Sequence, residues 1–313
     1  MKKAFVTGGA GFIGSHLVDA LAEKEYEITV YDNLSSGREE FLTDHIGKDY
    51  FRMVKADLLD QKKLENTISG HNVVFHLAAN PDVRLGAQKP DTAKTDIIAT
   101  YNLLDAMRKN DVKQIVFSSS STVYGETPSI PLPENYGPLL PISVYGAAKL
   151  AAEALISSFC HTFDMQGWIF RFANVVGERG THGVIVDFIK KLRRNPKELE
   201  ILGDGRQRKN YLYVEDCVDG ILFGFDHSKD QINLFNLGST GATEVTGIAE
   251  MVVEEMGLKD VKFSYTGGER GWKGDVPKFQ FDVSKINKLG WNAKYSSDEA
   301  VRKAIRDLLN ANL

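Results

Sequence analysis

Tyr145 and Lys149 stand four residues apart in SVYGAAK (143–149), at the head of an alanine-rich segment with helical composition. Residues i and i+4 share one face of a helix, so the phenol and the ammonium would meet. That pair suits general-base chemistry on a hydroxyl group. A free tyrosine ionises near pH ~10, which leaves about one phenol in a thousand charged at neutral pH. Lowering its pKa by ~3 units requires about 4 kcal/mol. A unit cation ~5 Å away supplies roughly 3 kcal/mol at an effective dielectric of about 20. Lys149, joined by one further positive charge, could therefore make Tyr145 a working base.

A substrate oxygen also needs a hydroxyl donor to hold it. SSSSTVYG (118–125) offers several, with Ser120 the first choice. Tyr124 also precedes a glycine, but no lysine follows four residues on, and it reads as a pocket wall. A bare Y-x-x-x-K can be coincidence on an amphipathic helix. Its weight here comes from what precedes it.

TGGAGFIG (7–14) contains Gly8-x-x-Gly11-x-x-Gly14 and Gly9-x-Gly11-x-x-Gly14. It directly follows a strand pattern and opens a helical one, the context that gives a glycine fingerprint meaning. Such a turn lets a pyrophosphate approach backbone N–H groups at the positive end of a helix. Asp32 ends the next strand pattern, where its carboxylate would accept hydrogen bonds from an adenosine ribose. A 2′-phosphate there would be repelled, so NAD is favoured over NADP. Arg38 keeps NADP in view. Asp57 and Leu58 follow the third strand pattern and would either meet the adenine edge or cap the next helix. Ala78 and Ala79 are small enough to let a cofactor lie close across the sheet. The charge on a nicotinamide ring is the second cation that Tyr145 calls for. His76, inside VVFHLAA, reads as a core histidine.

The elements that position these residues follow from periodicity. KAFVTG (3–8), EITVYD (27–32), FRMVKAD (51–57), NVVFHLAA (72–79) and QIVFSSS (114–120) read as strands covered on both faces. FIGSHLVDALAEK, KKLENTISG and TDIIATYNLLDAMRKN between them carry apolar residues at helical spacing. The alternation predicts an α/β protein with a Rossmann-type, doubly wound parallel sheet. WIFRFANVVG (168–177) reads as one further strand. Beyond it, helices are expected at 184–194, 215–225, 244–256 and 298–310, among glycine-rich loops. We therefore expect a nucleotide-binding domain over 1–173, extended by segments near 211–237. A smaller, interleaved α+β substrate domain occupies most of 174–313.

Composition narrows the function. The chain of 313 residues carries a formal charge of -4, with 42% hydrophobic and 26% charged residues. Mild acidity argues against binding nucleic acid or anionic lipid. No apolar run approaches the ~20 residues that span a bilayer. Glycines break the short apolar stretch after MKK at once, unlike a signal peptide. Cys160 and Cys217 form neither a disulfide framework nor a metal spacing, so no metal and a reducing, cytoplasmic setting are expected.

Taken together, the sequence resembles the extended short-chain dehydrogenase/reductases of the NAD-dependent sugar epimerase/dehydratase family. TGGAGFIGSH, YDNLSSG, HLAA, SSSSTVYG, SVYGAAK, RFANVVG, LGDGRQRKNYLYVED and GDVPKFQFDVSKINKLGW carry the resemblance along nearly the whole chain. It implies a bound NAD that is reduced and reoxidised within one turnover, and epimerisation at C4 of a UDP-hexose through a 4-keto sugar. Tyr145 would take the 4-hydroxyl proton, Ser120 would hold that oxygen, and Lys149 would also bind the nicotinamide ribose. The resemblance adds Phe12, Ile13, Asn33, Leu77 and Ser118 to the cofactor residues. It places Asn174 on the sugar diphosphate and Asp275 near the nucleoside. Phe279 would help decide whether N-acetylated sugars fit.

The chain also departs from the family. Lys209 stands where an arginine precedes the tyrosine, so Arg208 or Arg206 is expected to share the diphosphate. Trp272 replaces another arginine, with Arg270 displaced upstream. Asp96-x-x-Ala99-Thr100-x-Asn102 replaces Asn-x-x-Gly-Thr-x-Asn. Dehydratases place Asp-Glu in the region where this chain has Ser120-Ser121-Thr122, which argues against dehydration. Decarboxylation of a UDP-uronic acid and a catalytically silent NAD-binding module remain as alternatives. The helices over 95–110 and 145–159 are apolar around much of their circumference. By resemblance, such helices pair across a homodimer as a four-helix bundle.

Overall fold

A computed structural model describes residues 1–80, 89–127 and 131–311. In its first half, β1 (Lys3–Thr7), α1 (Phe12–Glu23), β2 (Glu27–Asp32), β3 (Phe51–Lys55), α2 (Gln61–Ile68), β4 (Val73–His76), α3 (Asp91–Lys109), β5 (Gln114–Ser120), α4 (Val144–Thr162) and β6 (Gln166–Phe172) follow one another. The rhythm then shortens. β7 (Asn174–Val176), α5 (Val184–Arg194), β8 (Glu198–Ile201), β9 (Arg208–Lys209), β10 (Tyr211–Tyr213), α6 (Val214–His227), β11 (Ile232–Leu237), β12 (Thr243–Glu244), α7 (Val245–Glu255), β13 (Lys262–Tyr265), β14 (Lys278–Phe279), α8 (Ser284–Leu289) and α9 (Ser297–Asn310) complete the order.

Seven strands form one sheet in the order β11-β6-β5-β4-β1-β2-β3. β1 pairs in parallel with β2 on one side and β4 on the other, so strand order reverses there. Open α/β sheets bind ligands outside the strand carboxyl ends at such a reversal. The apolar runs behave as their composition demands: Ala4, Phe5, Val6, Ile28, Val30, Val74 and Phe75 are buried. Leu103 and Met107 of α3 and Ile156 and Cys160 of α4 close one core over this sheet. Each such large side chain contributes roughly 1.5–3 kcal/mol by leaving water.

The strand expected over 168–177 is two strands. Ala173 N–H bonds the carbonyl of Leu237 at 2.9 Å, whereas Asn174 N–H bonds that of Asn210 at 3.1 Å. The chain thus changes sheets between adjacent residues, and β7 pairs in parallel with β10.

The chain divides into two compact units. Unit 1 comprises Met1–Gly125, Leu139–Arg171 and Ile221–Phe235. Unit 2 comprises Glu126–Pro138, Phe172–Gly220 and the chain from Asn236 onward. Its core gathers Phe188 and Ile189 of α5, Ile248 and Val252 of α7, and Val301 and Ile305 of α9. α9 begins with a capping box, Ser296 and Glu299 bonding reciprocally to each other's backbone. No helix among the described residues is long and apolar enough to cross a membrane.

Candidate active site

In unit 1, Ser143 caps α4 by accepting the Gly146 N–H at 3.0 Å, which sets Tyr145 in the first helical turn. A Cβ at Gly146 would stand 2.7 Å from the carbonyl oxygen of Thr122. Only glycine lets that turn lie so close to the residues following β5. Ser120 Oγ accepts the Thr122 N–H at 3.2 Å and the Thr122 hydroxyl at 3.0 Å. The Ser120 hydroxyl lies near enough to the Tyr145 phenol to draw its pKa down. The expected base and hydroxyl donor therefore meet, with Thr122 behind them. Spacing alone did not single out Thr122, although SSSSTVYG contains it.

Lys149 lies one turn beyond Tyr145 and is 5% exposed. Its Nζ donates to the Ser118 carbonyl at 2.6 Å. It sits 4.8 Å from the Phe117 ring centroid and 5.8 Å from that of Tyr145. Desolvation lowers its pKa to about 8, opposed by the carboxylates of Asp96 and Glu153. Glu153, a further turn along, accepts the Ser119 hydroxyl at 2.5 Å and Arg171 Nη2 at 2.7 Å. Glu153 and Arg171 were not foreseen, because their pairing joins a helix to a strand. Tyr124 is not an open wall. It is 1% exposed, with the Arg171 guanidinium 4.7 Å over its ring.

The chain alone does not lower the pKa of Tyr145. Desolvation first, then the charge of Asp96, raises it above the ordinary phenol value, while the Ser120 hydroxyl pulls it down. The depression expected from Lys149 is not among the effects on Tyr145; the ammonium donates to the Ser118 carbonyl.

The glycine turn has the shape a dinucleotide needs. Gly8 has φ +70°, and a Cβ there would come within 2.6 Å of Ala78 N. A Cβ at Gly14 would run into the Gly8 carbonyl oxygen. At Gly11 a Cβ would touch only that same oxygen, at 3.1 Å, and otherwise enter open space. No side chain caps α1, so Gly11, Phe12 and Ile13 present its positive end to a ligand. Asp32 accepts the N–H groups of Ala10 at 3.0 Å and Leu34 at 2.8 Å, one on each oxygen. Both oxygens keep a lone pair for ribose hydroxyls. Arg38 pairs with Glu40 at 3.2 Å. These residues fit NAD.

Asp57 does not cap α2; Asp60 does, accepting Lys63 N–H. Asp57 instead accepts Leu59 N–H at 2.9 Å and the Asn33 amide at 2.9 Å, which brings two expected cofactor residues together. Asn102 ties α3 to the Leu58 carbonyl at 3.1 Å. Leu77 N–H and Ala78 N–H bond the Thr7 carbonyl and hydroxyl. Ala79 follows, part-buried. Ser118 Oγ donates to the His76 carbonyl at 3.2 Å. His76 is a core histidine: Thr7 and Thr100 hold its ring nitrogens at 2.7 and 3.1 Å. Burial lowers its pKa to about 3.

In unit 2, Lys209 forms an ion pair with buried Asp275 and lies 4.9 Å over the Trp272 ring. Arg270 donates to the Asp275 carbonyl at 2.7 Å and pairs with Glu126. Lysine, arginine and aspartate thus converge. Arg208 does not join them; it is exposed, and its Nε donates to the Ala242 carbonyl at 3.0 Å. Neighbouring residues of a strand point to opposite faces, and Lys209 takes the inner one. Arg206 is exposed too. Asn174 stands opposite buried Tyr211 where β7 pairs with β10, a partner that spacing did not reveal, and its side chain draws the pKa of that phenol down. Phe279 is 5% exposed and packs edge-on against Phe281 at 4.5 Å.

Comparison with known proteins supplies a chemical context. The profile described as "NAD dependent epimerase/dehydratase family" matches residues 4–238. A putative UDP-glucose 4-epimerase of Methanocaldococcus jannaschii is 32% identical over 98% of both chains. UDP-glucuronic acid decarboxylase 1 of Arabidopsis thaliana is 31% identical over 97% of this chain and 69% of its own. A crystal structure of a UDP-galactose 4-epimerase is 42% identical, with a TM-score of 0.89 over 99% of this chain and 100% of that one.

Proposed function

The chain belongs to the NAD-dependent epimerase/dehydratase family, and we propose that within it the enzyme inverts C4 of a UDP-hexose, interconverting UDP-glucose and UDP-galactose. The meeting of Tyr145 with Ser120 where the first turn of α4 closes on the residues after β5, with buried Lys149 one turn away, carries this reading. In unit 1, Gly8, Gly11, Gly14, Asp32, Asn33 and Asp57 would hold NAD. NAD supplies a hydride acceptor, a hydride donor for the return step, and a positive ring. Tyr145 removes the proton of the sugar 4-hydroxyl as general base, then returns it when the opposite face of the 4-keto sugar is reduced. Ser120 holds the oxygen throughout. Lys149 binds the nicotinamide ribose and orients the strand end through Ser118.

In unit 2, Lys209 and Arg270 would hold the diphosphate, Asn174 the sugar-diphosphate portion, and Asp275 the nucleoside. Lysine contributes a point charge there, without the fork of an arginine. Phe279 favours the unsubstituted hexose over its N-acetylated counterpart. The exposed Ile98 and Tyr101 of α3 suit a homodimer built from paired helices. Two buried free cysteines suit a reducing cytoplasm.

Ser120, Ser121 and Thr122 bring no carboxylate to the substrate, which disfavours dehydration. The decarboxylase relative keeps a UDP-uronic acid as the second reading. A panel of UDP-, dTDP- and GDP-sugars, including UDP-glucuronic acid, with product stereochemistry by NMR, separates them. Interconversion of UDP-galactose and UDP-glucose is expected. Carbon dioxide release from UDP-glucuronic acid without epimerisation would replace this reading with the second. Retained NAD with every sugar unchanged would leave only a binding module.

A further inference from the structure

Tyr145, Lys149 and Glu153 recur every fourth residue, so their side chains follow one face of α4. Each turn of that face meets the end of β5. The first, with Tyr145, closes on Thr122, which bonds Ser120 Oγ through both its N–H and its hydroxyl. In the second, Lys149 donates to the Ser118 carbonyl at 2.6 Å. In the third, Glu153 accepts the Ser119 hydroxyl at 2.5 Å. Successive side chains of a strand face opposite ways. Ser118 and Ser120 are half-buried, whereas Ser119 between them is 2% exposed and ends on Glu153. Arg171 on β6, the strand beside β5, completes the anchor. Its Nε donates to Glu153 Oε1 at 3.0 Å and its Nη2 to Oε2 at 2.7 Å, and both side chains are buried. Glu153 Oε1 thus accepts from Ser119 and Arg171 together, which ties α4, β5 and β6 at one atom. A buried ion pair often adds little stability over apolar side chains of the same size. What the guanidinium fork adds is a fixed orientation for its carboxylate.

We propose that Ser119, Glu153 and Arg171 are positioning residues, which hold the end of β5 so that Ser120 and the Ser118 carbonyl stand in register with Tyr145 and Lys149. The inference rests on the roles proposed above for Tyr145, Ser120 and Lys149. The anchor acts through Ser118 and Ser120, the residues on either side of Ser119. Its loss should therefore slow the chemical step and leave substrate and cofactor binding as they were. A displacement of reacting groups by about 1 Å can cost roughly 100-fold in rate.

The test uses the full chain supplied with NAD. Ser119→Ala removes the hydroxyl of the strand and leaves the Glu153–Arg171 pair intact. On a nucleotide sugar that the enzyme turns over, kcat per bound NAD should fall roughly 10- to 100-fold, with KM and the affinity for NAD unchanged. Counting per bound NAD removes any loss of folded protein. By NMR, exchange of the Thr122 amide, which is bonded to Ser120 Oγ, should quicken roughly tenfold or more, while Val116 within β5 stays protected. A second variant, Glu153→Leu/Arg171→Met, replaces the pair by apolar side chains, and the methionine sulfur suits the Tyr124 ring that the guanidinium now covers. It should lose a similar factor in kcat, and adding Ser119→Ala to it should cost nothing further, because the partner is already gone. A further loss as large as in the parent overturns the proposal, as does an unchanged kcat or an unmoved Thr122 exchange rate in Ser119→Ala. If the parent protein turns over no nucleotide sugar, the functional reading fails, while Thr122 exchange in the variants still decides the anchor.

Discussion

The approach of Tyr145, in the first turn of α4, to Ser120, at the end of β5, is close enough for the serine hydroxyl to lower the pKa of the phenol. It places a proton acceptor and a hydroxyl donor where one substrate oxygen can use both. Tyr145→Phe keeps the ring and removes the acid–base group, so kcat should fall by about 10²- to 10⁴-fold. Bound NAD should be retained, since the glycine turn and Asp32 are untouched. Ser120→Ala removes one hydrogen bond to a developing charge, ~1.5–3 kcal/mol, or about 10- to 150-fold in kcat. Steady-state kinetics with NAD quantified by absorbance checks both. Full turnover by Tyr145→Phe would end the assignment.

Two alanine substitutions should separate folding from cofactor binding. At Gly11 an added methyl meets only the Gly8 oxygen, at 3.1 Å, and otherwise projects into open space. Gly11→Ala should fold with a similar melting temperature and bind NAD at least about tenfold more weakly, ~1.4 kcal/mol. At Gly14 the methyl would strike the backbone of Gly8 and Gly9, neither of which is a flexible side chain. Gly14→Ala should lose about 1–3 kcal/mol of stability, the range for overpacking. Calorimetric titration with NAD beside thermal melts distinguishes the two. Equal behaviour of the variants would contradict the geometry.

How much of this could be read beforehand depends on whether a feature is local. β2 and β5 were legible because uninterrupted apolar runs suit strands covered on both faces, and α5 because its apolar residues recur at helical spacing. The break at Ala173 was not, since no turn residue interrupts WIFRFANVV and the change of sheet is set by Leu237 and Asn210. Two-residue strands such as β9 and β14 have no period to detect. Within the site, Tyr145 and Lys149 declare themselves by their spacing, and Ser120 by its strand end. Glu153 with Arg171, and Asn174 with Tyr211, are partners from different elements. The upward shift of Tyr145 was hidden for the same reason: its charged cause, Asp96, lies on another helix.

His76 should act as an acid-side liability and take no part in turnover. Its folded pKa is about 3 against an ordinary 6.5, so the native state binds fewer protons than the unfolded chain between those values. Its contribution is present above pH 6.5 and is lost as pH falls toward 3. The slope reaches at most about 1.4 kcal/mol per pH unit. Urea titrations at several pH values should show it in the parent protein, and a shallower slope in His76→Asn. NMR of the ring should show no protonation at pH 5 while the protein stays folded. A ring that titrates near pH 6.5 in the folded protein would refute burial as the controlling effect.

Lys149 should leave the converse mark at alkaline pH. Its folded pKa is about 8 against an ordinary 10.5, so the unfolded chain binds more protons between these values. Stability linked to this group is therefore present above pH 10.5 and lost as pH falls through 8. Lys149→Met has no such proton to lose. The stability of the parent relative to Lys149→Met should rise from pH 8 to pH 10, by at most about 1.4 kcal/mol per pH unit. The comparison isolates the lysine, because Tyr211 and Tyr213, also raised by burial, are common to both proteins. Urea titrations of both proteins at pH 8, 9 and 10 measure the difference directly. Parallel stability curves would mean that Lys149 is solvated as freely in the folded chain as in the unfolded one. Its contact with the Ser118 carbonyl would then no longer describe a buried cation.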